Sequence, residues 1–136
     1  MKIFIALVVF FAIANAESPA SKEEIEKIFE QHHKECASES GVTPEQIASI
    51  RKGVHEDDPK VKAQISCVAL KSGIQDKSGA FKKDVIISNL SLYIPDKAEV
   101  EKLYEKCVTS TSEKSEEAAF DVSKCIAENI PQKYRS

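Results

Sequence analysis

Four cysteines constrain the fold of this chain more than any other feature of its sequence: Cys36, Cys67, Cys107 and Cys125. In an oxidising compartment such cysteines pair by default, but four of them allow three connectivities and spacing alone chooses none. Two bridges that close loops of this size stabilise a domain by about 3–4 kcal/mol each on a chain-entropy estimate. For a small domain that is a large share of the total stability.

The first sixteen residues predict that the chain reaches such a compartment. Lys2 precedes an uncharged apolar run over residues 3–13, and small residues at Ala14 and Ala16 form a cleavage signature. We therefore expect a secretory signal peptide over residues 1–16 and one mature domain over residues 17–136, about 120 residues long. The apolar run is shorter than the roughly 20 residues that cross a bilayer. We expect a secreted, extracellular protein without membrane insertion.

The mature sequence predicts about six helices and no sheet. Helix-start signals, mostly a capping residue with Pro or an acidic residue close behind it, recur along the chain. They predict helices that begin near Ser21, Thr43, Asp58, Asp84, Asp96 and Ser115. In the first helix, the apolar spacing puts five residues on one face: Ile25, Ile28, Phe29, His32 and Cys36. Residues 84–94 are the most apolar stretch, and their β-branched residues would also suit a strand. Their length and the lack of a second strand candidate nearby favour a helix, which we expect to be buried on most sides.

Charge and residue chemistry argue against several classes of function. The net charge is −3, and removal of Lys2 with the leader makes it one unit more negative. Nucleic acid and anionic membranes reward clustered Lys and Arg, so neither is an expected partner. His32 and Cys36 have a metal-ligand spacing, but Cys36 is better used in a bridge. With three histidines and no Gly-x-Ser-x-Gly motif, we expect no enzyme, catalytic residue, cofactor or metal.

The segment that follows Cys67 carries a resemblance to a known family. It leads to a polar turn between Gly73 and Gly79, and with the cysteine spacing it resembles the insect odorant-binding proteins (pheromone and general odorant-binding). The resemblance covers the whole mature chain. Most members have six cysteines, whereas here Ala63 and Glu116 occupy two of those positions. Because these two pair with each other in the family, their joint absence resembles the four-cysteine "minus-C" type.

The resemblance implies the pairing, the fold and the function. The bridges are expected to be Cys36–Cys67 and Cys107–Cys125, and the fold all-α, with about six helices around an apolar cavity. The absence of the third bridge predicts a looser domain. The implied function is to bind small hydrophobic molecules (odorants, pheromones or fatty compounds) and transport them. The ligand-binding candidates are Phe29, Val68, Ile87, Leu90, Ile94, Leu103, Phe120, Val122 and Tyr134.

Two other functions fit the same sequence. The cavity can serve a carrier outside chemosensation, in haemolymph, a gland or seminal fluid. Alternatively, the helices form a protein-interaction module whose core is solid. The expected partners of a chemosensory carrier are a small hydrophobic ligand and a chemosensory receptor, and the expected state is a monomer or weak homodimer. Displacement of an apolar probe separates both carriers from the solid-core module.

Overall fold

The computed structural model describes residues 21–108 and 115–134. The predicted signal peptide, the first residues of the predicted mature domain and the 109–114 linker lie outside these ranges. The described residues form six α-helices and a closing 3₁₀ turn, which confirms the all-α prediction: α1 (Lys22–Ser40), α2 (Pro44–Arg51), α3 (Pro59–Lys71), α4 (Lys83–Ser91), α5 (Lys97–Val108), α6 (Ser115–Asn129) and the turn (Gln132–Tyr134). Within this part of the chain, β pairing is limited to an isolated bridge between Gln75 and Phe81.

Side-chain caps explain why most helices begin where the sequence predicts. Ser21 accepts a hydrogen bond from the Glu24 amide, and Asp58 accepts one from the Lys60 amide. Thr43 and Gln46 form a complete capping box, in which each side chain bonds the other residue's backbone amide. These bonds satisfy amides that the first turn of a helix leaves without partners.

The fourth helix is shorter and more exposed than the sequence suggested. It ends at Ser91 rather than Ile94, because a residue that precedes proline is disfavoured in the helical region, and Pro95 follows Ile94. Among its nine residues, Ile86 and Leu90 are buried. Ile94 lies beyond the helix, yet it is 1 % exposed. The expectation of burial on most sides was therefore wrong for the helix, while the turn after it reaches the core.

The helices pack in an open series. Extensive contacts join α1 to α3, α3 to α6, α6 to α5 and α5 to α4. Two disulfides reinforce this series, Cys36–Cys67 between α1 and α3, and Cys107–Cys125 between α5 and α6. They are the pairs that the family resemblance implies. Between α1 and α4, which are the two ends of the series, the described residues form no comparable interface.

The core is divided into two apolar clusters. The first cluster lies on α3, α6 and the loop before α2, and consists of Val42, Val61, Ile65, Ala69, Ala119 and Phe120. The second cluster lies on α4, α5 and the turn between them, and consists of Ile86, Leu90, Ile94, Val100, Leu103 and Cys107. Ile74, in the loop between α3 and α4, packs against both clusters. The two halves of the core therefore meet at a narrow apolar connection.

Candidate ligand-binding interior

The structure distributes the nine ligand-binding candidates over both halves of the core and the space between them. Leu90, Ile94 and Leu103 belong to the second cluster, and Ile87 and Tyr134 pack against it. Phe120 belongs to the first cluster. The remaining three candidates, Phe29, Val68 and Val122, are in neither cluster.

Four inward-facing apolar side chains belong to neither cluster, and we call them the inter-cluster residues: Ile25, Phe29, Val68 and Val122. Val68 and Val122 are 6 % and 4 % exposed. On α6, Val122 lies between Phe120, which joins the first cluster, and Cys125, which packs against the second. These side chains supply apolar surface that neither cluster includes, and such surface is what an apolar ligand requires.

Ile25 and Phe29 belong to the inner face of α1, which differs from the predicted face. The buried residues of this helix are His33 and Cys36. Ile25 and Phe29 precede them at helical spacing and are half-buried, whereas Ile28 is 47 % exposed. The inner stripe is therefore Ile25, Phe29, His33 and Cys36. The prediction that placed Ile28 and His32 on this face was wrong by about one position, because apolar side chains flank both edges of the stripe.

A buried polar network fixes the carboxyl-terminal half of α1 against α3. Gln64, which is 0 % exposed, donates from Nε2 to Nδ1 of His33 at 2.9 Å and to the His33 carbonyl oxygen at 3.0 Å. Its Oε1 accepts from the Ser40 hydroxyl at 2.8 Å. An amide nitrogen can only donate, so the His33 ring is neutral with its proton on Nε2. Burial is the main cause that lowers the pKa of His33, and Arg51 and His32 add to it.

A second histidine joins the loop before α3 to α6. His55 Nε2 and the Ser123 hydroxyl are hydrogen-bonded at 2.7 Å. The imidazole also meets the Phe120 ring edge-on, with centroids 6.0 Å apart. Burial lowers the pKa of His55, although the Gly53 backbone and Glu128 oppose that effect. This arrangement holds Phe120 in the first cluster.

Sequence reasoning missed the buried glutamines. Gln64 lies three residues after Val61, on the same face of α3 as its apolar stripe. The helical period could therefore have predicted that it is buried. Gln75 lies in a segment whose composition predicts an exposed turn, yet it is 1 % exposed. Its Nε2 donates to the Gly79 carbonyl at 3.2 Å and to the Ser115 carbonyl at 3.1 Å. The bond to Ser115 is a tertiary contact with α6, which no local pattern in the sequence reveals.

Two grooves open on the surface, and none of the inter-cluster residues lines either of them. The first has a volume of about 330 Å³ and is lined by Leu70, Gly73, Gln75, Asp76, Lys77 and Lys82. The second, between α5 and the end of α6, has a volume of about 260 Å³ and is lined by Glu99, Lys102, Leu103, Lys106, Asn129 and Pro131. Of the nine candidates, Leu103 lines a groove. The other eight candidates line neither groove, so we keep the interior as the candidate site.

Within the described ranges, no three or more histidine, cysteine or acidic side chains come together in a way that could hold a metal ion. No helix in the described part of the chain is long and apolar enough to cross a membrane.

Comparison with known proteins gives consistent results. The PBP/GOBP family model matches residues 18–129. The B1 protein of Tenebrio molitor is 38 % identical over 112 residues, which cover 82 % of this chain and 85 % of that protein. Odorant-binding protein dmelOBP28a from Drosophila melanogaster has a TM-score of 0.70 at 17 % identity, over 79 % of this chain and 93 % of that one. Odorant Binding Protein 7 from Anopheles gambiae, in complex with an azo compound, has a TM-score of 0.60 at 25 % identity. The match covers 82 % of this chain and 89 % of that one.

Proposed function

Since the chain belongs to the PBP/GOBP family, the insect odorant-binding proteins, with the two disulfides of the minus-C type, we propose that this small-ligand carrier is secreted and transports odorants, pheromones or fatty compounds. In this proposal residues 1–16 direct export, and residues 17–136 form the single binding domain. The chain acts by equilibrium binding and performs no catalysis.

The observation that carries the proposal is the divided core. A domain of this size usually has one contiguous core, with smaller satellite clusters beside it. Here two clusters are joined through Ile74, and the inter-cluster residues lie outside both. A ligand that parts the clusters would bury its own apolar surface against Phe29, Val68 and Val122. The complex of the Anopheles protein with an azo compound supports a small organic ligand for this fold.

The expected ligand is a flexible molecule of about ten to fifteen carbon atoms, since each buried methylene contributes about 0.8 kcal/mol. After the costs of ordering the ligand and separating the clusters, micromolar affinity, about −8 kcal/mol, is expected. Contacts of this kind are not directional, so we expect broad specificity that follows chain length more than head group.

Fluorescence titration with N-phenyl-1-naphthylamine, followed by competition with a series of primary alcohols, tests the proposal. We expect saturable binding of the probe and displacement that strengthens about tenfold from decan-1-ol to dodecan-1-ol. Affinity should stop rising once the chain is longer than the interior. If the probe does not bind saturably, the proposed carrier function is wrong and the solid-core alternative is favoured.

A further inference from the structure

The amino-terminal part of α1 extends beyond the helix against which α1 packs. α1 and α3 run antiparallel, since Ser40 bonds Gln64 near one end and His32 bonds Ser72 at the other. α3 ends at Lys71, so residues 22–31 continue past it. At 1.5 Å per residue, this overhang is about 15 Å long.

Two apolar residues of the overhang lack a place in the core. Ile25 and Phe29 lie on the inner face of α1, but neither packs against the first or the second cluster. The Phe29 ring meets that of His32, on the same helix, at 6.4 Å between centroids. Little buried apolar surface therefore holds the overhang down, and segments of that kind open at low free energy.

Tyr93, in the turn between α4 and α5, holds the overhang by polar contacts. Its hydroxyl donates to Oε1 of Glu26 at 3.2 Å, and Nζ of Lys22 lies 4.6 Å from the centre of its ring. The ring itself packs against the second cluster. Tyr93 therefore connects the two ends of the open helix series, α1 and α4, where the described residues form no extensive helix interface.

From this arrangement we propose that the seam between residues 22–31 and Tyr93 is the entrance to the interior, and that the Tyr93–Glu26 hydrogen bond is its latch. This inference rests on the proposed carrier function and deepens it. When the latch opens, Ile25 and Phe29 present an apolar surface that leads from solvent to Val68 and Val122. The latch bond is exposed at the surface and involves none of the inter-cluster residues. We therefore expect it to control the rates of entry and exit rather than the affinity.

A population argument gives the expected signature of such a latch. If ligand passes only through the open form, the observed association and dissociation rates both scale with the fraction of open molecules. Loss of the hydroxyl raises that fraction in the free and in the bound protein alike. We therefore expect both rates to rise together while their ratio, the Kd, stays the same.

The test is stopped-flow exchange of N-phenyl-1-naphthylamine in the wild type, Tyr93→Phe and Glu26→Ala. Each variant removes one side of the hydrogen bond, and we expect association and dissociation to accelerate about two- to tenfold, with Kd changed by less than about twofold. The double variant should be no faster than either single one, since both remove the same bond.

Two matched variants serve as controls. Tyr104→Phe makes the same chemical change on α5, and Glu30→Ala removes a surface carboxylate of α1 that pairs with Lys34; both should exchange probe at the wild-type rate. The proposed entrance is wrong if Tyr93→Phe and Glu26→Ala exchange the probe at the wild-type rates. It is also wrong if only one of the two rates changes, so that Kd changes with it. Failure of the wild type to bind the probe would instead overturn the carrier function on which the entrance depends.

Discussion

Gln64 donates a hydrogen bond to Nδ1 of His33 at 2.9 Å, and this contact ties α1 to α3 only while the imidazole is neutral. A protonated ring would turn an N–H toward the amide N–H group. Gln64 could then avoid the repulsion only by turning its amide over, which breaks its bond to the His33 carbonyl and reverses the direction of its bond with Ser40. The network is therefore sensitive to acid.

We expect the free energy of unfolding to fall in mild acid. Burial lowers the pKa of His33 below its usual value of 6.5, with smaller contributions from Arg51 and His32. The neutral His33 ring thus contributes fully to the free energy of unfolding above pH 6.5, the pKa of the unfolded state. That contribution is lost as the pH falls from this value through the lower pKa of the folded state. Burial lowers the pKa of His55 as well, so that residue acts in the same direction.

Thermal unfolding of the wild type and His33→Gln, at neutral pH and at about pH 5, checks this prediction. The variant should lose less of its Tm in acid than the wild type does, whatever its Tm at neutral pH. His32→Ala, which alters the neighbouring ring on the partly exposed side bonded to Ser72, should keep most of the wild-type dependence, since burial is the main cause of the lowered pKa of His33 and His32 a smaller one. If the Tm of His33→Gln falls in acid by as much as the Tm of the wild type, the account is contradicted.

Restoring the absent third bridge should stabilise the domain. Ala63 is half-buried on α3, and Glu116 lies in the first turn of α6. Their sequence neighbours Lys62 and Glu117 form an ion pair, with Nζ and Oε1 2.9 Å apart. We expect Ala63→Cys combined with Glu116→Cys to raise stability by about 1–3 kcal/mol, less than the chain-entropy estimate, since engineered geometry is rarely ideal.

The measurement for this pair is the Tm of the fully oxidised protein, with a thiol count that shows the bridge has formed. Ala63→Ser combined with Glu116→Ser is the matched control without a thiol, and its Tm should not rise. If the bridged variant has the same Tm as the control, the third bridge does not stabilise this domain. The prediction that its absence makes the domain looser would then be wrong.

Two phenylalanines should respond differently to truncation, because they occupy different parts of the interior. Phe120 is 5 % exposed and belongs to the first cluster, so Phe120→Ala should cost about 3–5 kcal/mol of stability. Phe29 is half-buried outside both clusters, so Phe29→Ala should cost less than about 1 kcal/mol. We expect Phe29→Ala to weaken binding of N-phenyl-1-naphthylamine about tenfold.

Denaturant unfolding gives the two stabilities, and fluorescence titration gives the affinity. If Phe29→Ala destabilises the fold as much as Phe120→Ala does, Phe29 is core rather than ligand surface. An unchanged affinity would remove Phe29 from the binding site.

Filling the inter-cluster region should exclude ligand. Val122 is 4 % exposed between the clusters, whereas Val54 is 57 % exposed. Val122→Phe adds bulk where the ligand is expected, and we predict about a tenfold loss of probe affinity at a stability cost of about 1–3 kcal/mol. Val54→Phe makes the same change on the surface and should alter neither the probe affinity nor the stability. Wild-type affinity in a folded Val122→Phe protein would place the ligand elsewhere.

Local signals predict where the helices of this protein begin, but not how much of each is buried. The Thr43 and Asp58 caps and the prolines that follow them act within a few residues, so the starts of α2 and α3 could be read from the sequence. The end of α4 was missed because the apolar stretch continues to Ile94, whereas the helix stops before Pro95. Burial on one side of α4 depends on α5, which no local pattern reveals.

The candidate site shows a similar limit. Periodicity marks Val68 and Phe120 alike as inward apolar residues, and the structure puts Phe120 in a cluster and Val68 in none. The difference depends on which helices meet, and that follows from the open series of packing. Tyr93 and Gln64 were not candidates at all, because their roles arise from partners on α1 that are 67 and 31 residues distant in sequence.

The most direct test of the inter-cluster site is an isotope-filtered NOE experiment on ¹³C-labelled protein with unlabelled dodecan-1-ol. The account predicts intermolecular NOEs from the alkyl chain to the methyl groups of both Val68 and Val122. NOEs confined to the surface grooves, for instance to Leu70 with none to either valine, would contradict it.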